Sequence, residues 1–93
     1  LLIQKLEDLD AYYRIRRQSA KSLWKLKAKE AIPALIKCLE SDPHESVRWE
    51  AAAALHELDA REAISALQQA QEGDTDELVR MKAFEILKQF KVK

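Results

Sequence analysis

Few side chains in this sequence are suited to chemistry. His44-Glu45 and His56-Glu57 each join an imidazole to a carboxylate, the donor types of a non-haem iron or zinc site. Cys38 is the only cysteine; a reactive thiol needs a base, a cation or a helix N-terminus beside it. The stretch RIRRQSAKSLWKLKAK, residues 14–29, carries seven cations and no acid. There Arg17, Lys21 and Lys25 could hold phosphates while Trp24 stacks on a base. Trp49, His56 and Met81 add side chains of the kind protein-binding surfaces use. Gly73 is the only glycine, so there is no glycine-rich loop to cradle a phosphate.

What these residues can do depends on the elements that carry them. With one glycine and two prolines, Pro33 and Pro43, the chain has too few turn residues for tight hairpins of strands. It is predicted to be helical nearly throughout. The helices repeat at a period of 32 residues. Arg16, Arg48 and Arg80 share a column; so do Asp10, Asp42 and Asp74; Leu23, Leu55 and Leu87; and Ile3, Leu35 and Leu67. Such internal similarity marks a stacked repeat. Each unit holds two helices. In KEAIPALIKCLE the apolar positions Ile32, Leu35, Ile36 and Leu39 fall on one face, and in VRWEAAAALHEL so do Val47, Ala51, Leu55 and Leu58. Neither stripe can be buried by its own helix, so helices pair and pairs stack.

Local signals set the boundaries. Asp42 with Glu45, Asp74 with Glu77 and Asp59 with Glu62 read as capping boxes, and Pro43 suits a first helical position. Pro33 predicts a bend or a late start in its helix. Cys38 is placed on the polar margin near a helix C-terminus and read as inert. Asp42 precedes Arg48 by six residues, about 240° around a helix, so the two are not expected to meet within a unit. Pairing Arg of one unit with Asp of the next gives an inter-repeat ladder of Asp10, Arg16, Asp42, Arg48, Asp74 and Arg80.

The D-x5-R spacing, the VRWEAAAAL core and the AIPALIKCL helix with Pro33 resemble the HEAT-repeat family, specifically the short HEAT-like repeats of the phycobilisome lyase type. The resemblance spans the whole chain. It implies an all-α, right-handed α-solenoid of about three HEAT-like helical hairpins, one domain over residues 1–93 with units of about 1–27, 28–58 and 59–93. The order is helix A then helix B, at about 1–8, 11–27, 29–40, 43–58, 61–72 and 76–91. It also implies that the outer face of the B helices is concave and recognises partners. The expected surface is Arg17, Lys21, Trp24, Trp49, His56 and Met81, with Arg17, Trp49 and Met81 in one row and Trp24, His56 and Lys88 in another. In a HEAT-type hydroxylase, His-Glu pairs that bind iron follow the Val-Arg pair. Here that place holds Arg17-Gln18, Trp49-Glu50 and Met81-Lys82, so no metal or other cofactor is expected.

Charge shapes the choice of partner. The formal net charge is zero, but residues 1–29 carry eight cations and three acids (+5), residues 30–77 three and twelve (−9), and residues 78–93 five and one (+4). A nucleic-acid strand laid along the basic first unit would run into the acidic middle one. The reading is therefore a non-catalytic scaffold or adaptor that binds another protein. The alternatives are a bilin lyase subunit or bilin-handling chaperone, and a nucleic-acid-binding domain. A single cysteine and the absence of a membrane span or signal peptide fit an intracellular, cytoplasmic setting. The opening LLIQKL, without Met, suggests a fragment of a longer array. Phe84, standing where earlier units have Ala20 and Ala52, is open to three readings: a cap on the stack, a seat for a further unit, or self-association with a second chain through the terminal helices; Phe90 and Val92 make the last helix more apolar.

Overall fold

The computed structural model describes residues 1–91; Val92 lies outside them. Six α-helices follow one another with no strand among the described residues: α1 (Leu2–Glu7), α2 (Tyr13–Lys25), α3 (Ile32–Ser41), α4 (Glu45–Glu57), α5 (Ile64–Gly73) and α6 (Glu77–Gln89). They pack as three antiparallel pairs, α1 on α2, α3 on α4 and α5 on α6. Stacking then sets α2 against α4 and α4 against α6, with α1, α3 and α5 forming a second layer behind.

The ends of the helices explain this geometry. α2 and α4 finish at residues that turn left-handed immediately after the cap, Lys27 (φ 56) and Asp59 (φ 52). The amide of Ala28 bonds Leu23 O and that of Lys27 bonds Trp24 O; Ala60 and Asp59 repeat this on Leu55 and His56. This Schellman closure reverses the chain within a few residues. Asp59 is thus a post-helix residue and not the N-cap its spacing with Glu62 suggested. A short 3-10 turn follows at Lys29–Ala31 and at Arg61–Ala63. Pro33 then stands in the first turn of α3, where its missing N–H has no partner to lose.

The B-helix caps also fall later than expected. His44 caps α4 by accepting the Ser46 amide on Nδ1 at 3.1 Å, and Asp76 caps α6 by accepting the Val79 amide at 3.0 Å. Asp42 and Asp74 instead end α3 and α5. Their Oδ1 atoms accept the His44 and Asp76 amides, both at 2.9 Å, in turns that free the other oxygen for a longer reach.

That reach crosses the unit boundary. Arg16 Nε and Nη2 donate to Asp42 Oδ2 and Oδ1 at 2.8 and 3.1 Å, and Arg48 does the same to Asp74 at 2.9 and 3.1 Å. Each fork is planar and two-pronged, the geometry in which arginine is most selective. The third guanidinium nitrogen binds the arginine's own hairpin: Arg48 Nη1 meets Asp42 O at 2.8 Å, Arg80 Nη1 meets Asp74 O at 2.7 Å, and Arg16 Nη1 meets Ala11 O. Arg48 and Asp42 therefore do meet within a unit, through the main chain, because an arginine is long enough to reach around the helix start. The ladder has two forks. Asp10 keeps the 32-residue spacing but is exposed and faces no arginine. α1 stops at Glu7, and Asp8 takes the turn-forming role, accepting the Asp10 amide at 3.0 Å. Among the described residues, no carboxylate takes the fork of Arg80.

The core is a continuous layer of small and branched residues. Leu35, Val47, Leu55, Leu67, Val79 and Ile86 are fully buried, and alanines 51, 52, 54 and 83 let the helices approach closely. Cys38 belongs to this core rather than to a polar margin. Its thiol donates to Asp42 Oδ2 at 3.8 Å, and burial, reinforced by that carboxylate, pushes its pKa far up. The buried side of α2 consists of Arg16, Ser19, Ala20 and Leu23. Ile15 and Leu26 are 46% and 68% exposed.

Candidate functional site

The three B helices present a shared outer face, and a groove of about 500 Å³ runs across their N-terminal halves. α2 supplies Arg17, Gln18 and Lys21; α4 supplies Glu45, Ser46, Trp49 and Glu50; Asp76 and Leu78 come from the start of α6. The period explains the convergence. Residues 17 and 49 occupy one column, 18 and 50 the next, and 46 and 78 a third, so stacking sets them side by side.

Trp49 forms the apolar floor with Leu78; the two are 37% and 63% exposed. Lys82 Nζ lies 4.9 Å from the Trp49 ring centroid, a cation–π contact that steadies the indole. Arg17, in the same row as Trp49, shares the groove, but the cation over the ring is Lys82. Lys82 also reaches Glu85 at 4.0 Å. Arg17 and Lys21 form a basic wall on α2. Glu45 and Glu50 on α4 and Asp76 at the start of α6 make the acidic wall, and among the described residues no salt bridge joins it to the basic one. Asp76 is engaged as a helix cap and Glu45 lies 3.8 Å from His44 Nδ1. The groove thus has separated charges of opposite sign on either side of an aromatic floor.

Not all of the expected surface lies here. Arg17, Lys21 and Trp49 come together. Met81 is exposed but lies outside the groove. Trp24 is half-buried against the core, with its indole N–H enclosed and without a partner among the described residues. It follows Ala20 by four residues, so it shares the side of α2 that the next unit covers. His56 holds the matching place on α4 and packs edge-on against Phe90, ring centroids 5.8 Å apart. Both residues were expected on the open face, whereas Trp24 packs against the core and His56 against Phe90.

Glu45, Ser46, Glu50, Asp76, Leu78 and Lys82 were not foreseen as part of this surface. The 32-residue columns contained the signal for Glu50 and Lys82, which flank Trp49 and Met81 by one residue. Near the first unit boundary, His44 stacks on Tyr13 with centroids 3.6 Å apart and planes at 4°. Arg14 Nε donates to the Tyr13 hydroxyl at 3.4 Å and, with a further contribution from Tyr12, lowers the pKa of Tyr13. His44 and His56 occupy separate sites, one on Tyr13 and the other on Phe90, and do not converge.

Paired helices, a 32-residue repeat and inter-unit forks define a stacked helical repeat, and the profile of the HEAT repeats family matches residues 1–88. The chain belongs to the HEAT-repeat family. No curated protein matches it significantly. HEAT-repeat domains generally act as protein-binding scaffolds, which is consistent with a site built from separated charges around an aromatic floor. None of the described helices is long and apolar enough to cross a membrane.

Proposed function

We propose that this HEAT-repeat chain is a non-catalytic scaffold that binds a partner protein in the groove across α2, α4 and α6. The observation that carries this is Trp49, an exposed indole on the groove floor between walls of opposite charge. Tryptophan and arginine dominate the energetics of interfaces when a partner excludes water from them. A bound segment would place an apolar anchor on Trp49 and Leu78, an acidic residue toward Arg17 and Lys21, and a basic one toward Glu50. The acidic wall works against a nucleic-acid strand, whose phosphates would meet Glu45, Glu50 and Asp76.

The resemblance to short repeats of the phycobilisome lyase type supports a second reading, a bilin-handling role. A groove of about 500 Å³ is of the size that small ligands use, and Arg17 and Lys21 could pair with the carboxylates of an open-chain tetrapyrrole.

The test uses a Trp24→Phe background, in which Trp49 is the only tryptophan. Peptides selected from a display library are titrated while Trp49 emission is followed. Selected ligands should change that emission and lose at least thirtyfold in affinity in Trp49→Ala, equivalent to about 2 kcal/mol. Equal binding to Trp49→Ala and Arg17→Glu removes the groove from consideration. Saturable quenching by an open-chain tetrapyrrole, with a red-shifted visible band, favours the second reading instead.

A further inference from the structure

The groove across the B helices has a long direction and a short one. Its basic wall, Arg17 and Lys21, stands on α2; its aromatic floor, Trp49, stands on α4 beside Glu45 and Glu50; its far rim, Asp76 and Leu78, is the start of α6. A path from wall to rim therefore crosses three helices. Packed helices lie about 8–10 Å apart. A group held by the basic wall is then about 8–10 Å from the floor and about 16–20 Å from the rim. Along the helices the groove is shorter. It takes in residues 17–21 of α2 and 45–50 of α4, about 6–8 Å of helical rise.

These dimensions select the conformation of a bound segment. A helix laid along the B helices would find little more than one turn of groove. A helix laid across them would need three turns or more to reach from wall to rim. A single turn, about 10 Å across and 5.4 Å long, sweeps roughly 420 Å³, and the whole groove holds about 500 Å³. An extended chain rises about 3.3 Å per residue, so it covers the distance in five or six steps. Gln18 also suits an extended occupant. It is exposed on α2 and lines the groove beside Arg17. Its carboxamide donates and accepts at once, which matches a main chain whose own groups are unpaired.

We infer that the groove takes an extended segment of six or seven residues, laid across the B helices. An acidic residue at one end meets Arg17 and Lys21. An apolar residue about three places on covers Trp49 and Leu78, and a basic residue five or six places from the acid meets Glu50 and Asp76. The inference rests on the groove being the partner's site and adds the partner's conformation and the spacing of its charges. That spacing belongs to an extended chain, because residues six apart on a helix lie about 240° around its axis.

The test uses the Trp24→Phe chain. Ligands are selected from a display library of random linear dodecamers, made as peptides with blocked termini and titrated while Trp49 emission is followed. Enriched sequences should share an acid and a base five or six places apart with an apolar residue between them, in either order, since a chain can cross in either sense. Proline at two intervening positions bars a helix and should cost less than tenfold in affinity. Moving the base next to the acid should cost at least tenfold. Arg17→Glu/Lys21→Glu alters two exposed positions; it should lose the same ligands at least tenfold and regain them when the ligand's acid is replaced by lysine. Ligands that depend on Trp49 but lose tenfold or more with proline, or whose opposite charges lie three or four places apart, overturn the inference and leave the groove as the partner's site. Ligands indifferent to Trp49→Ala, or a library that yields none, overturn both.

Discussion

Replacing Asp42 with Asn changes one oxygen into an amide and removes one charge, yet it should come close to unfolding the chain. The Asp42 carboxylate takes both prongs of Arg16, the His44 amide and the Cys38 thiol. The two charged side chains retain only 5% and 1% of their exposure. In Asp42→Asn, Oδ1 can still accept from His44, but the new amide faces Arg16 Nε donor to donor. Arg16 is left buried and charged, and a guanidinium does not give up its proton, so deprotonation offers no escape. Breaking a buried pair this way costs about 3–5 kcal/mol. A chain of this length has a total stability of roughly 5–14 kcal/mol. Asp74→Asn strands Arg48, which is 11% exposed, and should cost somewhat less. Arg80→Met loses one bond to a main-chain oxygen, about 1 kcal/mol. The order Asp42→Asn, Asp74→Asn, Arg80→Met is the test, read by urea denaturation followed by circular dichroism. The double variant Arg16→Met/Asp42→Leu should recover most of the loss, since an apolar pair of similar size replaces a buried ion pair at little cost. An Asp42→Asn cost below 1 kcal/mol, or one equal to that of Arg80→Met, would refute the assignment of the forks as the joints of the stack.

Two further expectations concern single residues. Cys38 should resist a thiol reagent at pH 8 in the folded chain and react promptly in guanidinium, because burial keeps it protonated. Since its pKa is raised on folding, its contribution to stability is complete below the ordinary thiol value of about 8.5 and declines as pH rises above it. Denaturation midpoints of Cys38→Ala should lack that part of the alkaline decline, and equal slopes in the two chains would contradict it. Gly73 closes α5 without a positive φ, and a Cβ there meets nothing within 4 Å. Gly73→Ala should therefore stabilise the chain by about 0.4–1 kcal/mol through the unfolded state, and a loss in the same urea assay would count against this local reading.

The architecture was legible because the apolar columns recur three times, and three copies constrain a period far better than one. The places where the reading failed are local. The caps slipped from Asp42 and Asp74 to His44 and Asp76 because an aspartate can close one helix and support the turn into the next as readily as it can start a helix. The burial of Arg16 depends on a carboxylate 26 residues later, a partner that the repeat columns offer and no local window contains. Trp24 was assigned to the open face, whereas its cover comes from the following unit. Half of the expected surface, Arg17, Lys21 and Trp49, does come together in one groove, as the columns implied. The acidic wall was missed because Glu45 and Asp76 lie at helix starts, where acids are expected for capping alone.

The forks explain why a stack of such small side chains has a single register. Alanines 20, 51, 52, 54 and 83 form a smooth interface that a one-turn slip would barely disturb, and apolar contact is non-directional. A two-pronged guanidinium is directional. Arg16 and Arg48 are each fixed to their own hairpin through a carbonyl and to the next through a carboxylate, so one residue sets both the turn and the neighbour's position. Slipping the stack by a turn, about 5.4 Å, would break the fork while leaving most of the alanine contacts in place. The groove inherits this register: Arg17 follows Arg16 and Trp49 follows Arg48, so the residue beside each joint points onto the open face. The distance between basic wall and aromatic floor is therefore set by the Arg16–Asp42 fork, and weakening that fork should loosen the groove before it unfolds the chain.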